Sequence, residues 1–388
     1  MKIVSVMTTT SSGGAEFAAI EMLDALVARG HECVMISDQP DIGRQTGVGV
    51  RPVAIGPKLS VSSKWSLAFR WLPYRARMRR ALEAEAPYDV LLLHYKKEQL
   101  LARGLSARLR ATLVWCEWGP VPFPMRKGIP RRMYLRAADQ AALVMAISQG
   151  TADNLVDVGI PAAKVVTVAN ALRTDEIDFT AEGRAQVRER LGIPADAFVV
   201  GCISRFHPKK RNDVVVDAVL ALNDERVHLI LAGRGETEDE LRALGAPLGD
   251  RLHVIPTPHE DVADVLSAFD VSVFCPSPTE GQPRAVILGM LARRPCLATG
   301  AEGVSDMIED AFGAIASPDN DPAALAALIR PYIEDGELRR TQGEAARAHA
   351  EAVYAAPVVA ATIEGLFRAA GAAVDSPAET APIAQDPR

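Results

Sequence analysis

Several features that would define the compartment and class of a protein are scarce in this chain of 388 residues. Its five cysteines lie far apart and form no C-x-x-C pair, which indicates reduced core thiols and argues against a disulfide framework or a metal cage. No uninterrupted apolar run reaches the ~18 residues that a membrane span needs. The first residues form a strand-like run and have no signal-peptide pattern. These absences predict a soluble, cytoplasmic protein.

Motifs that identify common enzyme classes are also missing. No G-x-G-x-x-G follows the first predicted strand and no G-x-x-x-x-G-K-S/T occurs, so a dinucleotide-dependent dehydrogenase or a P-loop NTPase loses its usual support. No G-x-S-x-G elbow and no H-E-x-x-H motif is present. One D-x-D occurs at 319–321, but Pro322 and an Ala-rich segment follow it. We therefore interpret Asp321 as a helix N-cap in preference to a metal ligand.

The composition that is present is that of a globular protein with more than one domain. Apolar residues make up 48% and charged residues 24% of the chain, close to the average for soluble domains. At about 150 residues per domain, the length predicts two or three domains with a cleft between them. Lys and Arg number 43 against 49 for Asp and Glu, a formal net charge of −6. This balance argues against a chain-wide surface for nucleic acid.

Short apolar runs alternate with amphipathic helical patterns in two series. The first series predicts strands at Ile3–Met7, Cys33–Ser37, Val53–Ile55, Val90–His94, Leu113–Cys116, Leu143–Ile147 and Val165–Val168. The second predicts them at Phe198–Ser204, Val227–Ala232, Leu252–Ile255, Val271–Cys275, Pro295–Thr299 and Gly313–Ala316. Strands that are apolar throughout and separated by helices belong to parallel sheets covered on both faces, so the predicted class is α/β. The polar stretch Arg173–Glu182 is the predicted linker.

Two of the loops that follow predicted strands could bind an anion. Gly13 and Gly14 open a predicted helix at Gly14–Ala28, where backbone N–H groups and the helix dipole favour negative charge. A tight turn without a ligand is equally consistent with these glycines. Arg205 to Arg211 carries four positive charges at the carboxyl end of a strand, where open α/β sheets bind ligands. The cluster favours a phosphate or diphosphate partner, and a solvated basic loop is the alternative.

The third loop places an acidic residue immediately before a helix. Glu280 follows the strand that ends at Cys275, and the helix is predicted to start near Pro283. Free amides at that helix start could hold a phosphate. The carboxylate of Glu280 could accept hydrogen bonds from the hydroxyl groups of a ligand, or it could cap the helix.

Taken in order, these segments resemble the retaining family 4 of the glycosyltransferases over about residues 1–370. The resemblance rests on G-G-A-E at 13–16, the segment 147–168, S-R-F-H-P-K-K at 204–210, L-A-G-R-G at 231–235 and P-S-P-T-E-G-Q-P at 276–283. It implies the GT-B fold, in which two facing Rossmann-like domains with parallel sheets enclose a cleft. The implied domains are an N-terminal acceptor domain at 1–175 and a nucleotide-sugar donor domain at 176–354. A helix at about 355–370 would return to the first domain, ahead of a disordered tail at 371–388.

The resemblance also implies roles for the matching residues. Arg205 and Lys210 match the diphosphate-binding Arg and Lys of the family, and Glu280 matches the first Glu of its E-x7-E motif, which contacts the transferred sugar. These three are the predicted catalytic residues. The predicted donor-binding positions are Gly13, Gly14, Gly233, Gly281, Gln282, Pro283, Arg284 and Ala285.

Two departures from the family pattern concern the donor. The second Glu of E-x7-E is replaced by Leu288, which cannot accept hydrogen bonds from a ribose diol, so Asp306 or Glu309 is a candidate substitute. The usual His after the fifth strand is also missing, and Trp118 stands about where it would fall. Glu117, Trp118 and His94 are therefore possible sugar or acceptor contacts, and a merely packed side chain is the alternative at each position.

The implied function is retaining, metal-independent transfer of a sugar from a nucleotide-diphosphate sugar to a hydroxyl acceptor. The acceptor could be a glycan, a lipid-linked molecule or a small natural product, and no cofactor is implied. The alternatives are a non-catalytic nucleotide-sugar-binding homologue and a nucleotide-sugar epimerase. Basic segments interleaved with apolar residues at 64–80 and 126–136 predict either peripheral contact with the inner face of the membrane or helices with a solvated basic face.

Overall fold

The chain folds around two parallel sheets. The computed structural model describes residues 1–9, 14–56, 64–105, 110–256, 261–277, 280–301, 303–316 and 320–371, and for 64–69 it describes the backbone alone. The strands are β1 (Lys2–Val6), β2 (Glu32–Ser37), β3 (Gly49–Pro52), β4 (Val90–Leu93), β5 (Thr112–Glu117), β6 (Leu143–Ala146), β7 (Val165–Thr167), β8 (Phe198–Ile203), β9 (Val227–Ala232), β10 (Leu252–Ile255), β11 (Val271–Phe274), β12 (Cys296–Thr299) and β13 (Gly313–Ala316).

Helices connect these strands in both sheets. They are α1 (Gly14–Ala28), α2 (Lys64–Glu85), α3 (Lys96–Leu101), α4 (Gly128–Ala138), α5 (Gln149–Val158), α6 (Ala181–Leu191), α7 (Asn212–Leu222), α8 (Glu238–Leu244), α9 (Val262–Ala268), α10 (Arg284–Leu291), α11 (Pro322–Glu334), α12 (Gly336–Tyr354) and α13 (Ala356–Ala369). The predicted α/β class is confirmed, because both sheets are parallel and alternate with helices.

Both sheets have the strand order of a doubly wound fold. The first is β3-β2-β1-β4-β5-β6-β7 and the second is β10-β9-β8-β11-β12-β13. The order reverses between β1 and β4 and again between β8 and β11, and such sheets bind ligands outside the carboxyl ends of the strands at this point. The loops after β1, β8 and β11 are the three that the sequence singled out. The topology therefore brings these three loops to the reversal points of the two sheets.

The N-terminal sheet is buried on both of its faces. Leu91 and Leu93 of β4 belong to the core under α2, α3, α4 and α5, whereas Val90 and Leu92 belong to the core under α1 and α13. Successive side chains of a strand point to opposite faces, which explains why all four positions of β4 are apolar. The five cysteines are free and buried, as expected of core thiols.

The chain crosses between the two sheets twice. The first crossing follows β7, and the second comes where α13 returns to the N-terminal sheet. At that point the amide of Leu172 donates to the carbonyl of Tyr354 and the amide of Ala356 donates to the carbonyl of Leu172, each at 2.8 Å. Phe367 of α13 is buried in the core that also holds Leu23 of α1. The final helix thus packs on the first sheet, and the two crossings lie side by side.

One strand prediction was wrong and one cap prediction is confirmed. The predicted strand Val53–Ile55 is instead β3 at Gly49–Pro52, an edge strand that pairs only with β2. An edge strand needs few apolar residues, so the apolar residues just after β3 led to a predicted strand that lies too late in the sequence. Asp321 caps α11 by accepting from the amide of Ala323 at 2.9 Å, with Pro322 at the first helical position. The predicted disordered tail lies outside the described residues from 372 onward.

Candidate active site

A cavity of about 390 Å³ lies between the two sheets. Gly14, Ala15, Ala18, Trp118, Ile147 and Asn170 line it from the N-terminal half. From the second half it is lined by Ile203, Ser204, Arg205, Lys210, Phe274 and the segment Glu280–Ala285. The size is that of a small-molecule site, for which about 300–1,000 Å³ is usual. We call this cavity the donor cleft.

An ion pair stands on the second-sheet side of the donor cleft. Lys210 Nζ lies 2.6 Å from Glu280 Oε2, and each side chain keeps roughly a quarter of its surface exposed. The same ammonium group sits 5.2 Å from the centre of the Phe274 ring, a distance at which a cation and a ring face attract each other. Lys210 and Glu280 are 70 residues apart in sequence and meet because β8 and β11 are neighbours.

Arg205 adds a second positive charge beside this pair. Its guanidinium group is exposed at the lip of the donor cleft. The structure pairs it with no carboxylate among the residues it describes. An exposed, unpaired guanidinium group beside the partly exposed ammonium group of Lys210 forms a cationic site that a ligand with two phosphate groups would neutralise.

Backbone contacts fix the loops that carry these charges. The amide of Ser277 donates to the carbonyl of Lys209 at 2.7 Å, which joins the loop after β11 to the loop after β8. Gly233 lies behind this loop, where a Cβ atom would come within 1.9 Å of the carbonyl oxygen of Ser204. Gly233 therefore acts by letting two backbone segments approach, and it does not line the donor cleft.

The helix α10 begins at the donor cleft without a side-chain cap. Pro283 occupies the N-cap position and makes no capping hydrogen bond, so the first amides of the helix remain available to an anion. Gly281 lies just before it, where a Cβ atom would come within 2.6 Å of the carbonyl oxygen of Trp118 in the opposite half. Glycine at 281 is what allows the two halves to approach at this point.

Two further contacts across the donor cleft were not foreseen from the sequence. Arg284 forms two hydrogen bonds to the carboxylate of Glu21 on α1, one of them 2.9 Å long. Asn170 donates from its backbone to Gln282 Oε1 at 2.7 Å and from its side chain to the Gln282 carbonyl at 3.0 Å. Glu21 and Arg284 are 263 residues apart, and no local pattern marks Glu21 as a partner. Residues 281–284 thus contact the first half as well as lining the donor cleft.

Trp118 lines the donor cleft, and its indole N–H group already has a hydrogen-bond acceptor. Indole Nε1 donates to His94 Nδ1 at 3.1 Å, and the two rings stack with centroids 5.7 Å apart. The other ring nitrogen, His94 Nε2, lies 2.7 Å from Ser5 Oγ. Burial lowers the pKa of His94 from 6.5 to about 3, so the ring is neutral, and its single proton is assigned to Nε2 because Nδ1 accepts.

Glu117 points into the N-terminal domain, away from the donor cleft. Its carboxylate pairs with Lys96 and accepts from Gln99 Nε2 at 2.9 Å and from the Tyr134 hydroxyl at 3.0 Å. Desolvation lowers the pKa of Lys96 even though the charge of Glu117 opposes that shift. Both carboxylate oxygens of Glu117 accept hydrogen bonds from residues of the same domain, so the role of Glu117 is structural. Neither Glu117 nor His94 lines the donor cleft.

The remaining sequence candidates lie away from the lining. Leu288 packs against the core of the second domain. Asp306 and Glu309 are exposed, and Glu309 lies 3.8 Å from His349, so neither acidic side chain replaces the missing second Glu at the donor cleft. Gly13 lies outside the described residues, while its neighbour Gly14 lines the donor cleft.

The described residues contain neither a cluster of metal-ligating side chains nor a helix suited to span a membrane. Within the ranges that the structure covers, no three His, Cys, Asp or Glu side chains lie close enough together to hold a metal ion. In the same ranges, no helix combines the length and the apolar character needed to cross a bilayer.

Two family models match consecutive parts of the chain. The model described as Glycosyltransferase Family 4 matches residues 12–176, and the model described as Glycosyl transferases group 1 matches residues 183–349. The boundary between the matches falls within the segment that joins β7 to α6. The residues between the two matched ranges, 177–182, belong to neither match.

Two curated relatives that share a name match most of the chain. A D-inositol 3-phosphate glycosyltransferase of Streptomyces avermitilis is 27% identical over 378 residues, which cover 88% of this chain and 80% of that protein. The protein of the same name from Kineococcus radiotolerans is 27% identical over 407 residues, with 93% and 92% covered.

Solved structures share the fold of the chain. Anabaena HepE, in complex with UDP and glucose, superposes with a TM-score of 0.79 at 22% identity, covering 95% of this chain and 99% of HepE. Sucrose-phosphate synthase from Thermosynechococcus elongatus gives a TM-score of 0.76 at 19% identity, covering 95% and 98%. Together with the family models, these similarities identify the two-sheet architecture and its cleft: the chain belongs to glycosyltransferase family 4 and is a glycosyltransferase with the GT-B fold.

Proposed function

We propose that the protein transfers a sugar from a nucleotide-diphosphate sugar to a hydroxyl acceptor, with retention of the anomeric configuration and without a metal ion. The observation that carries the proposal is the juxtaposition of Arg205, Lys210 and the uncapped start of α10 in the donor cleft. Three sources of positive potential converge there on one small volume. A diphosphate is the leaving group that such an arrangement stabilises best.

The positively charged side chains of the protein stabilise the negative charge that develops on the leaving diphosphate. Lys210 pairs with Glu280, and an arriving phosphate would share that ammonium group. Arg205 has the planar fork that binds phosphate oxygens in pairs. Glu280 then accepts hydrogen bonds from hydroxyl groups of the transferred sugar. In a front-face transfer, the leaving diphosphate takes the proton of the acceptor hydroxyl, so no separate protein base is needed.

The identity of the donor can be tested directly. The HepE structures contain UDP or UDP-glucose, which makes a UDP-sugar the first donor to test. UDP-, GDP-, ADP- and TDP-sugars should be incubated with the protein and candidate hydroxyl acceptors while nucleotide release is followed with and without chelator. We expect release from one nucleotide class that persists with chelator, and a product whose anomeric NMR coupling matches the donor. Binding of a nucleotide-sugar without transfer to any acceptor, or an inverted product, would contradict the proposal.

We also propose that the N-terminal domain contacts an anionic membrane surface. Leu72 on α2, Phe123 in the turn before α4 and Ile129 on α4 are 71–75% exposed, although each is a large apolar side chain. Phe123 and Ile129 lie at the start of α4, in the connection after β5, and Leu72 is the ninth residue of α2, in the connection after β3. The exposed cations on the same helices are Arg70, Arg77, Arg80, Lys127, Arg132 and Arg136. Apolar side chains interspersed with cations suit a surface of anionic lipid.

Several other members of the two basic segments are held within the protein. Arg75 donates to the carbonyls of Leu101 and Arg103, both at 2.6 Å. Arg126 and Arg131 donate to the carbonyls of Val121 and Val158. Tyr74 is buried in the core, and the side chains of 64–69 lie outside the described part. The contact surface is therefore smaller than the two segments, and it centres on the exposed apolar trio.

Sedimentation with liposomes tests this contact. With vesicles that contain phosphatidylglycerol, we expect salt-sensitive binding that is lost with pure phosphatidylcholine and weakened in Ile129→Ser. Val358→Ser is the matched control, because Val358 is an exposed apolar residue on α13, on the other face of the sheet. Equal sedimentation of both variants, or equal binding to charged and uncharged vesicles, would contradict the membrane contact.

A further inference from the structure

A second cavity, of about 630 Å³, opens beside the donor cleft. Its walls are α1, the segment 38–46 after β2 and the linker residue Arg173. Phe17 is 47% exposed and forms part of this wall, so its aromatic ring is available to contact a ligand. We call this volume the side cavity.

The wall of the side cavity is braced against the rest of the domain. Asp38 Oδ1 accepts from the amide of Thr9 at 2.5 Å, and Gln39 donates to the carbonyl of Thr9 at 2.8 Å. At the far end of the segment, the amide of Gly47 donates to Asp24 of α1 at 2.8 Å. These bonds tie both ends of the segment to β1 and α1, and they give the cavity a defined shape.

The side cavity and the donor cleft share one wall. Gly14, Ala15 and Ala18 of α1 face the donor cleft, while Phe17, Ile20 and Glu21 of the same helix face the side cavity. Adjacent faces of one helix lie within about one turn of each other, or roughly 5 Å along its axis. The Glu21–Arg284 ion pair joins the two volumes, since Glu21 lines one and Arg284 lines the other.

The charges of the side cavity disfavour a phosphorylated ligand. Its lining holds three carboxylates, from Glu21, Asp38 and Asp41, and two guanidinium groups, from Arg44 and Arg173, a formal net charge of −1. Both guanidinium groups already have carboxylate partners: Arg44 pairs with Asp41 at 2.9 Å and Arg173 with Glu176 at 2.7 Å. A phosphate would have to compete with Asp41 and Glu176 for these guanidinium groups and with Glu21 for Arg284, and it would approach the carboxylate of Asp38.

From this arrangement we infer that the side cavity is the acceptor subsite and that it takes a neutral or amine-bearing polyol without a phosphate group. Carboxylate and amide groups provide hydrogen-bond partners for hydroxyl or ammonium groups, and the ring of Phe17 packs against the C–H face of a sugar or cyclitol. The inference rests on the proposed glycosyl transfer, whose acceptor it specifies. It also separates this chain from curated relatives whose name specifies an inositol phosphate.

The experiment compares three soluble probes by isothermal titration calorimetry: myo-inositol, glucosamine and D-inositol 3-phosphate. Each is titrated into the full chain with and without saturating UDP. We expect the phosphorylated probe to bind about fivefold or more weakly than the better of the other two. Phe17→Ala should weaken binding of that probe about tenfold and leave UDP binding unchanged. Val358→Ala, a truncation at a similarly exposed apolar residue, is the matched control and should change neither.

A charge variant gives an independent readout. Asp41→Asn removes the partner of Arg44 and one negative charge, so it should strengthen binding of D-inositol 3-phosphate several-fold relative to myo-inositol. Binding of the phosphorylated probe as tight as that of the others, no binding of any probe, or full binding in Phe17→Ala would overturn the inference. Failure to bind UDP would count against the proposed function instead, because UDP is titrated separately into the same protein.

Discussion

The two halves of the molecule use buried and exposed charge in opposite ways. In the N-terminal half, Lys96 and Glu117 form an ion pair whose side chains are 12% and 3% exposed, and further hydrogen bonds saturate the carboxylate. In the second half, Lys210 and Glu280 keep about a quarter of their surface open to the donor cleft. Charged groups whose hydrogen bonds are all satisfied inside the protein stabilise the fold, whereas charged groups that stay partly exposed are available to a ligand. The comparison predicts different consequences for removing a lysine from each pair.

The largest effect on stability is expected from the buried pair. Lys96→Ala leaves the carboxylate of Glu117 buried without its cation, and breaking a buried pair in this way costs about 3–5 kcal/mol. We expect a loss of that order in the free energy of unfolding, measured by urea denaturation. Arg340→Ala removes an exposed ion pair with Glu344 on α12 and should change stability little. Equal stability of the Lys96 variant and wild type would erase the distinction between the halves.

The open pair should instead affect the reaction. Lys210→Ala removes a cation aimed at the leaving group, and loss of one such donor costs about 10²–10³ in turnover. We expect that fall in kcat at unchanged melting temperature. Lys209→Ala is the matched control, because the Lys209 side chain is exposed on the same loop and does not line the donor cleft. Comparable turnover in the two variants would remove the role assigned to Lys210.

A smaller effect is expected at the contact between the halves. Glu21→Gln removes the charge that holds Arg284 across the donor cleft, while a neutral amide keeps the shape. The pair is largely but not fully buried, with side chains 18% and 22% exposed. We therefore expect the free energy that favours closure of the two halves to fall by about 1 kcal/mol. Small-angle scattering with and without UDP should show a more open unliganded form in the variant. Identical scattering curves would mean that other contacts alone set the closure.

A pH-dependent effect is expected from the stacked rings of His94 and Trp118 beside the donor cleft. Burial lowers the pKa of His94 from 6.5 to about 3, so between these values the unfolded chain binds a proton that the folded chain does not. Stability contributed by neutral His94 is therefore complete above about pH 6.5 and falls as the pH falls, by at most about 1.4 kcal/mol per pH unit. His94→Gln should flatten the dependence of unfolding free energy on pH between about 6.5 and 4. An unchanged slope would show that His94 titrates normally.

The donor side of the site could be predicted from the sequence because its residues are local. Arg205 and Lys210 lie on one loop, and the segment 280–285 lies on another, so strand ends and short motifs were enough to find them. The two-sheet fold followed from apolar strands that alternate with helices. The edge strand β3 was misplaced because its exposed residues carry no apolar signal.

The opposite wall could not be predicted because its contacts join distant residues. Glu21 meets Arg284 across 263 positions, and the Trp118–His94–Ser5 chain joins the ends of three strands. Such partners depend on tertiary packing, which a single sequence does not reveal. Glu117 illustrates the same limit: its place beside the position of the missing His suggested a ligand contact, while the structure surrounds it with three partners from α3 and α4.

The central claim, that the exposed cations of the second half hold a diphosphate, is tested most directly by comparing UDP with UMP in isothermal titration calorimetry. The account predicts that wild-type protein binds UDP about tenfold or more tightly than UMP, since the second phosphate adds charge-assisted hydrogen bonds. In the Arg205→Ala/Lys210→Ala double variant, that preference should vanish while the fold, measured by circular dichroism, is retained. Equal affinity for UDP and UMP in the wild type, or an undiminished preference in the folded double variant, would contradict the account.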